Sequence, residues 1–273
     1  MANCDFQKID IETLIASKMG NKSRYVPGIL VKWLKKILHQ DEVNYFLECH
    51  KDEEGVEWLR SSVEYLNLKL NVEGKENLPE VGGKYTFVCN HPLGGPDGIA
   101  LGVILGEKYG NKMRYLLNDF LMFLPGLRPM GVPINKTGGQ GRNVPKLVDE
   151  AFDSDNQIIL FPAGLCSRRI NGKVQDLEWK KTFVVKSIKT QRDIVPIHFS
   201  GENTKRFYRI ANICSMLKLK FNIAMLFLAD ETFRHKHDSF DIRIGKPIPW
   251  QTFDKSKTPT DWAKYVRDRV YEL

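Results

Sequence analysis

No apolar run in this 273-residue chain approaches the ~18 to 20 residues that a membrane-spanning helix needs. The longest candidate, 221–229, is short, contains Asn222, and reads as a buried strand. The N-terminal stretch carries Asp5, Asp10 and Glu12 and lacks the apolar segment of a secretory signal. The expectation is a chain that stays on the cytoplasmic face of the inner membrane, peripheral to it. Cysteine is sparse: Cys4, Cys49, Cys89, Cys166 and Cys214 lie scattered with no Cys-x-x-Cys pair. That argues against a disulfide framework or a zinc site and fits a reducing compartment. His235-Lys236-His237 lacks further ligands at metal-site spacing and reads as a solvated loop, so no metal is expected. Walker and dinucleotide fingerprints, a Gly-x-Ser-x-Gly elbow, internal repeats and low-complexity tracts are also missing.

What the chain does have is a basic balance, 41 Lys and Arg against 33 Asp and Glu, a net charge of +8. Such a surface attracts polyanions. Nucleic acid, an anionic membrane and an acidic carrier protein all satisfy that demand. The lysines carry no zinc-finger, helix-turn-helix or RNA-recognition signature, so nucleic acid is not the expected partner. Hydrophobic residues make up 42% of the chain, enough for a real core.

Residues 1–78 read as a helical leader. Ile29, Leu30, Trp33, Leu34, Ile37 and Leu38 recur at helical spacing, with Lys32, Lys35 and Lys36 opposite. A basic amphipathic helix with an aromatic anchor suits a membrane interface, and it equally suits packing on the main domain. A second helical pattern runs from Val56 to Leu70, and 73–83 is a turn-rich linker. From Lys84 onward, strand-like runs (84–89, 113–118, 131–134, 157–161, 194–199, 221–228, 240–244) alternate with helical stretches (98–109, 142–153, 177–190, 204–218, 258–272). The pattern predicts an α/β domain over 79–273, with a mixed, largely parallel sheet flanked by helices.

The most informative segment is Asn90-His91-Pro92-Leu93-Gly94-Gly95-Pro96-Asp97, directly after the first of those strands. Imidazole takes a proton near neutral pH, and a carboxylate can hold one ring nitrogen protonated while the other acts as base. The competing reading has Asp97 capping the next helix and His91 merely exposed. Three further segments stand out: Gly131-Val132-Pro133-Ile134-Asn135-Lys136, Phe161-Pro162-Ala163-Gly164-Leu165-Cys166-Ser167-Arg168, and Ile194-Val195-Pro196-Ile197.

In this order and at these separations, the segments resemble the four sequence blocks of the lysophosphatidic acid acyltransferase-like superfamily, the glycerophospholipid acyltransferases. The likeness covers roughly residues 84–250. Two departures point to one bacterial branch, which contains hemolysin-named proteins and O-acyltransferases of amino-acid lipids. Five residues rather than four separate His91 from Asp97, and Ala163 replaces the third block's glutamate. Asp176-Leu177-Glu178-Trp179, Gly201-Glu202-Asn203 and 244–249 also resemble that branch.

The resemblance implies transfer of a fatty acyl chain from an acyl carrier protein or coenzyme A thioester to the hydroxyl of a lyso-lipid. The acceptor would be lysophosphatidate or an N-acyl amino-acid lipid, and no metal or organic cofactor is implied. His91 is the expected base and Asp97 its orienting acid, with Asp119 in reserve. Amides around Gly164 and Leu165 are the expected oxyanion donors. Arg168 and Lys136 are expected on the acceptor's anionic group, with Asn90 and Ser167 completing the substrate-binding set. Cys166 is not expected to act as a nucleophile. The loss of the motif carboxylate at Ala163 keeps open a non-catalytic, membrane-associated lipid-binding protein on the same fold.

Overall fold

The computed structural model describes residues 8–134, 143–217 and 223–273, and the structural statements below concern those residues. Seven strands form one sheet: β1 (Lys69–Glu73), β2 (Tyr85–Cys89), β3 (Met113–Leu117), β4 (Gly131–Pro133), β5 (Gln157–Leu160), β8 (Asp193–Phe199) and β9 (Ser239–Ile244). Their order is β1-β9-β8-β2-β5-β3-β4. Strands β8, β2, β5, β3 and β4 run parallel, β9 is antiparallel to β8, and β1 runs parallel to β9. A small antiparallel hairpin, β6 (Arg168–Ile170) with β7 (Lys173–Gln175), projects beside the sheet.

A sheet covered on both faces requires strands that are apolar on both sides, which explains the continuous runs rather than alternation. In β2, Phe87 and Cys89 join the cluster formed with α4 (Val56–Leu66) and α5 (Pro96–Tyr109), including Trp58, Leu59, Leu101 and Leu105. Val88 points the other way, toward Phe152 of α6 (Val144–Asp153), Phe183 of α7 (Thr182–Lys189) and Val266 of α10 (Pro259–Tyr271). Each such side chain contributes about 1.5–3 kcal/mol when fully buried. A third, smaller cluster joins Ile37 of α2 (Gly28–Ile37) to Phe207 of α8 (Lys205–Met216) and Phe227 of α9 (Phe227–Arg234). Ahead of these, α1 (Ile11–Met19) is capped by Asp10, whose side chain accepts from the Glu12 and Thr13 amides, and α3 (Gln40–Cys49) follows α2.

Six of the expected strands are found in place, and two expectations are corrected. Of the apolar run expected as a strand over 221–228, residues 221–222 lie outside the described residues, and the rest is a 3₁₀ turn, Ile223–Leu226, leading into α9. A short apolar run cannot distinguish strand from helix by period alone, and here Ala224 and Phe227 bury on one side against α8. The helix expected to reach Leu70 ends at Leu66, where Asn67 takes a left-handed conformation (φ 49°), and 69–73 becomes strand β1. Its alternation of exposed Lys69, Asn71 and Glu73 with half-buried Leu70 and Val72 has a strand's period of two. The β6–β7 hairpin lies between the strand expected over 157–161 and the helix expected over 177–190, where the sequence pattern predicts no element.

Candidate active site

Strand β2 lies inside the parallel block between β8 and β5 and ends at Cys89. Open α/β sheets place their sites at such carboxyl ends. Residues 90–95 then turn into α5, with Pro96 at its first position and Asp97 in its first turn. Gly94 adopts φ +93°, which lets the loop curl back over the helix start. A Cβ there would lie 2.6 Å from the Cys166 sulfur, so the loop also has no room for a side chain.

Asp97 is fully buried. Its Oδ2 accepts from His91 Nδ1 (2.9 Å) and from the Leu93 and Gly94 amides (3.0 and 3.1 Å). Its Oδ1 accepts from the Gly98 amide at 2.9 Å. Burial pushes this carboxyl upward, but the His91 ring and the loop amides outweigh it and hold it below its ordinary value. A carboxylate that only accepts fixes the tautomer: Nδ1 carries the proton and Nε2 is left as the basic atom. Burial disfavours the charged ring of His91, yet the Asp97 carboxylate raises its pKa well above the usual 6.5, with Cys166 adding in the same direction. The imidazole stacks on Phe161 (centroids 3.9 Å apart, planes at 19°) and keeps 15% of its side chain exposed.

The frame behind the ring comes from other strand ends. Asn90 donates to the Phe199 carbonyl (2.8 Å) and accepts from its amide (2.7 Å), extending the β2–β8 ladder through a side chain. Ser167 donates its amide to the His91 carbonyl (2.7 Å) and its hydroxyl to Asp176 Oδ1 (2.5 Å). Asp176 also accepts from the His91 amide (3.1 Å) and from Trp179 Nε1 (2.8 Å). Burial pushes the Asp176 carboxyl above its ordinary value, against the opposing pull of those hydrogen bonds. In the sequence, Asp176-Leu177-Glu178-Trp179 carries the branch resemblance but no expected role in the site.

Arg168 opens β6 at 9% exposure. Its Nη1 donates to the Cys166 and Ser167 carbonyls, and its guanidinium lies 5.6 Å from the Phe207 ring centre. Burial draws its pKa below the ordinary guanidinium value, and no carboxylate pairs with it among the described residues. Gly164 sits in the same loop at φ +69°, and its amide donates to the Phe161 carbonyl (2.9 Å). That amide is therefore occupied, whereas the Leu165 amide has no partner among the described residues. The geometry thus joins His91, Asp97, Asn90, Gly164, Ser167 and Arg168 around the ends of β2 and β5. Lys136 lies outside the described residues. Asp119 begins a separate 3₁₀ turn (Asp119–Phe123), and the carboxylate bonded to the His91 ring is that of Asp97.

The profile of a family described as "Acyltransferase" matches residues 13–273, nearly the whole chain. The chain belongs to the acyltransferase family. It is 58% identical over 265 residues to a lyso-glycine lipid O-acyltransferase of Phocaeicola vulgatus, covering 97% of this chain and 95% of that protein. A protein of the same name from Bacteroides thetaiotaomicron is 57% identical, covering 97% of each. In fold, the acyltransferase resembles the crystal structure of the 1-acyl-sn-glycerophosphate (LPA) acyltransferase PlsC from Thermotoga maritima. The TM-score is 0.52 at 19% identity, over 96% of this chain and 94% of that one. Together these place it in the glycerophospholipid acyltransferase superfamily as an O-acyltransferase. Ala163 of this acyltransferase is buried in the apolar cluster with Trp179 and Phe183. A glutamate there would bring a carboxyl group into apolar surroundings, at a cost above the ~2–7 kcal/mol of an uncharged polar group if ionised and unpaired.

Proposed function

We propose that the protein transfers a fatty acyl chain from an acyl thioester to the free hydroxyl of a lyso-glycine lipid. The observation that carries this reading is the His91–Asp97 pair, an imidazole with one nitrogen held by a buried carboxylate and the other left basic. The two relatives at 57 and 58% identity favour a glycine-lipid acceptor over lysophosphatidate. His91 Nε2 takes the hydroxyl proton as the acceptor oxygen bonds to the thioester carbonyl carbon. Collapse of the tetrahedral intermediate breaks the carbon–sulfur bond, and the same proton passes to the departing thiolate, leaving ester and thiol. General base catalysis of this kind is worth about 10²–10⁴-fold. The thioester is already activated, so the step calls for no metal or organic cofactor.

The Leu165 amide supports the oxyanion, and Arg168, with Lys136, meets the acceptor's anionic group through its fork of donors. Asn90 and Ser167 act on the loop rather than on the lipid, since their polar atoms are engaged by Phe199 and Asp176. Acyl carrier protein or coenzyme A supplies the chain. Lipid access falls to the leader. Ile29, Leu30 and Trp33 of α2 are exposed beside Lys32 and Lys36, and no Asp or Glu occurs between Glu12 and Asp41. Such a face suits the anionic cytoplasmic surface of a membrane, and no helix among the described residues is long and apolar enough to cross one. On this reading residues 1–78 serve membrane contact and 79–273 the chemistry, with β1 anchoring the first part to the sheet.

The test is acyl transfer by purified protein. Acyl carrier protein and coenzyme A thioesters are offered to single-chain glycine and ornithine lipids and to lysophosphatidate, with His91→Ala in parallel. The expected result is a glycine lipid gaining one acyl chain, absent with the variant. Folded wild-type protein that binds lipid but acylates none of the acceptors would favour the non-catalytic reading.

A further inference from the structure

Asp176 is a buried ionisable residue that takes no part in the proton transfers above, yet it reaches the catalytic segment directly. Its Oδ1 accepts from the main-chain amide of His91 at 3.1 Å and from the Ser167 hydroxyl at 2.5 Å. Ser167 in turn donates its own amide to the His91 carbonyl at 2.7 Å. Both polar main-chain groups of His91 are therefore bound by the Ser167–Asp176 pair. The other carboxylate oxygen is fixed by Trp179 Nε1 at 2.8 Å. The Asp176 main chain is anchored to α10, its amide donating to Tyr271 Oη (2.8 Å) and its carbonyl accepting from Arg267 (3.2 Å). The imidazole is thus held twice, from independent parts of the fold: its ring by Asp97 on α5, its main chain by Asp176 ahead of α7.

We propose that Asp176 is a positioning residue for acyl transfer, setting the place of His91 relative to the 161–167 loop through the Ser167–Asp176 bracket. The inference rests on the proposed function. Displacing a catalytic group by about 1 Å costs on the order of 10²-fold in rate while leaving substrate contacts intact. The loss therefore falls on kcat rather than on KM.

The discriminating variant is Asp176→Asn. Asparagine presents an oxygen to one side only. With that oxygen on His91 and Ser167, its amide N–H meets the Trp179 N–H, donor against donor. Flipped, it releases His91. Trp179→Phe removes the Trp donor without touching His91, and the double variant Asp176→Asn/Trp179→Phe lets asparagine keep its oxygen on His91. For Asp176→Asn, kcat should fall roughly 10- to 100-fold with KM within about 3-fold of wild type. Trp179→Phe should lower the melting temperature with kcat within about 3-fold, and the double variant should recover the kcat of Trp179→Phe. If Asp176→Asn does not fold, comparing the double variant with Trp179→Phe decides the matter alone. Unchanged kcat in Asp176→Asn, a double variant at least ten-fold slower than Trp179→Phe, or activity that follows melting temperature in every variant would overturn the inference. Wild-type protein that acylates no lipid would instead sink the functional reading, so the two failures are distinguishable.

Discussion

Asp97→Asn tests the center of the mechanism, because the structure dictates what each orientation of the new side chain must give up. Oδ1 of Asp97 serves the Gly98 amide, while Oδ2 serves His91 Nδ1 and the Leu93 amide; the Gly94 amide is shared between them. With its NH₂ on the Oδ1 side, asparagine keeps the histidine but leaves the part-buried Gly98 amide unpaired, at about 1.5–3 kcal/mol for a hydrogen bond to a charged group. With its NH₂ on the Oδ2 side, it donates to Nδ1, moves the ring proton to Nε2 and removes the base. Either way the ionised partner that stabilises imidazolium in the transition state is gone. The expected loss in kcat is about 10²–10⁴-fold, or roughly 2.7–5.5 kcal/mol at 1.36 per decade.

The pH dependence carries a sign as well. The wild-type rate should rise with pH as His91 loses its proton, with a midpoint above 6.5 because Asp97 raises the ring's pKa. The residual activity of the variant should titrate at lower pH. Stability follows the same pair. The depressed Asp97 contributes stability above its ordinary 3.8, lost as pH falls through its lowered folded value. The raised His91 contributes below 6.5, lost as pH rises through its folded value. The stability gap between wild type and Asp97→Asn should therefore be wider at pH 5 than at pH 9. Initial rates against pH, with urea unfolding at both pH values, check this. A variant within about 3-fold of wild-type rate, or one with an unshifted midpoint, would refute the assignment of Asp97.

Three further outcomes follow from local geometry. Gly94→Ala forces a side chain to φ +93° and into the Cys166 sulfur, so it should lose about 1–3 kcal/mol of stability along with much of its kcat, read by melting temperature and initial rates. Arg192 is wholly buried and donates to the carbonyls of Phe152, Ser154, Asn156 and Tyr85. Arg192→Met strands several of them at ~1–3 kcal/mol each, and urea unfolding should show a loss of about 3–5 kcal/mol. Ile29 is 80% exposed on α2. Ile29→Ser should leave the melting temperature unchanged but weaken sedimentation with anionic liposomes roughly 10- to 150-fold, the ~1.5–3 kcal/mol of an isoleucine buried in lipid, and high salt should weaken the wild type as well.

By itself the sequence determined the parallel core and the chemistry at its edge. Strands such as Gln157–Leu160 and Asp193–Phe199 are legible because burial on both faces demands unbroken apolar runs. His91 and Asp97 are legible because they lie six residues apart in one loop, and local chain geometry alone can bring them together. The tertiary structure decided whatever depends on distant partners. Within the run expected as a strand over 221–228, residues 223–228 turn helical because α8 and α2 offer an apolar cleft on one side, which no short window reveals. Lys69–Glu73 became a strand because the edge of β9 pairs with it, from some 170 residues away. Asn90 and Ser167 look like substrate ligands in a motif, yet their polar atoms are engaged by Phe199 and Asp176, which only the folded sheet brings within reach. Asp176 follows the same logic: an ordinary acid in the sequence, it becomes the bracket behind His91 because the chain after β5 folds back across the end of β2.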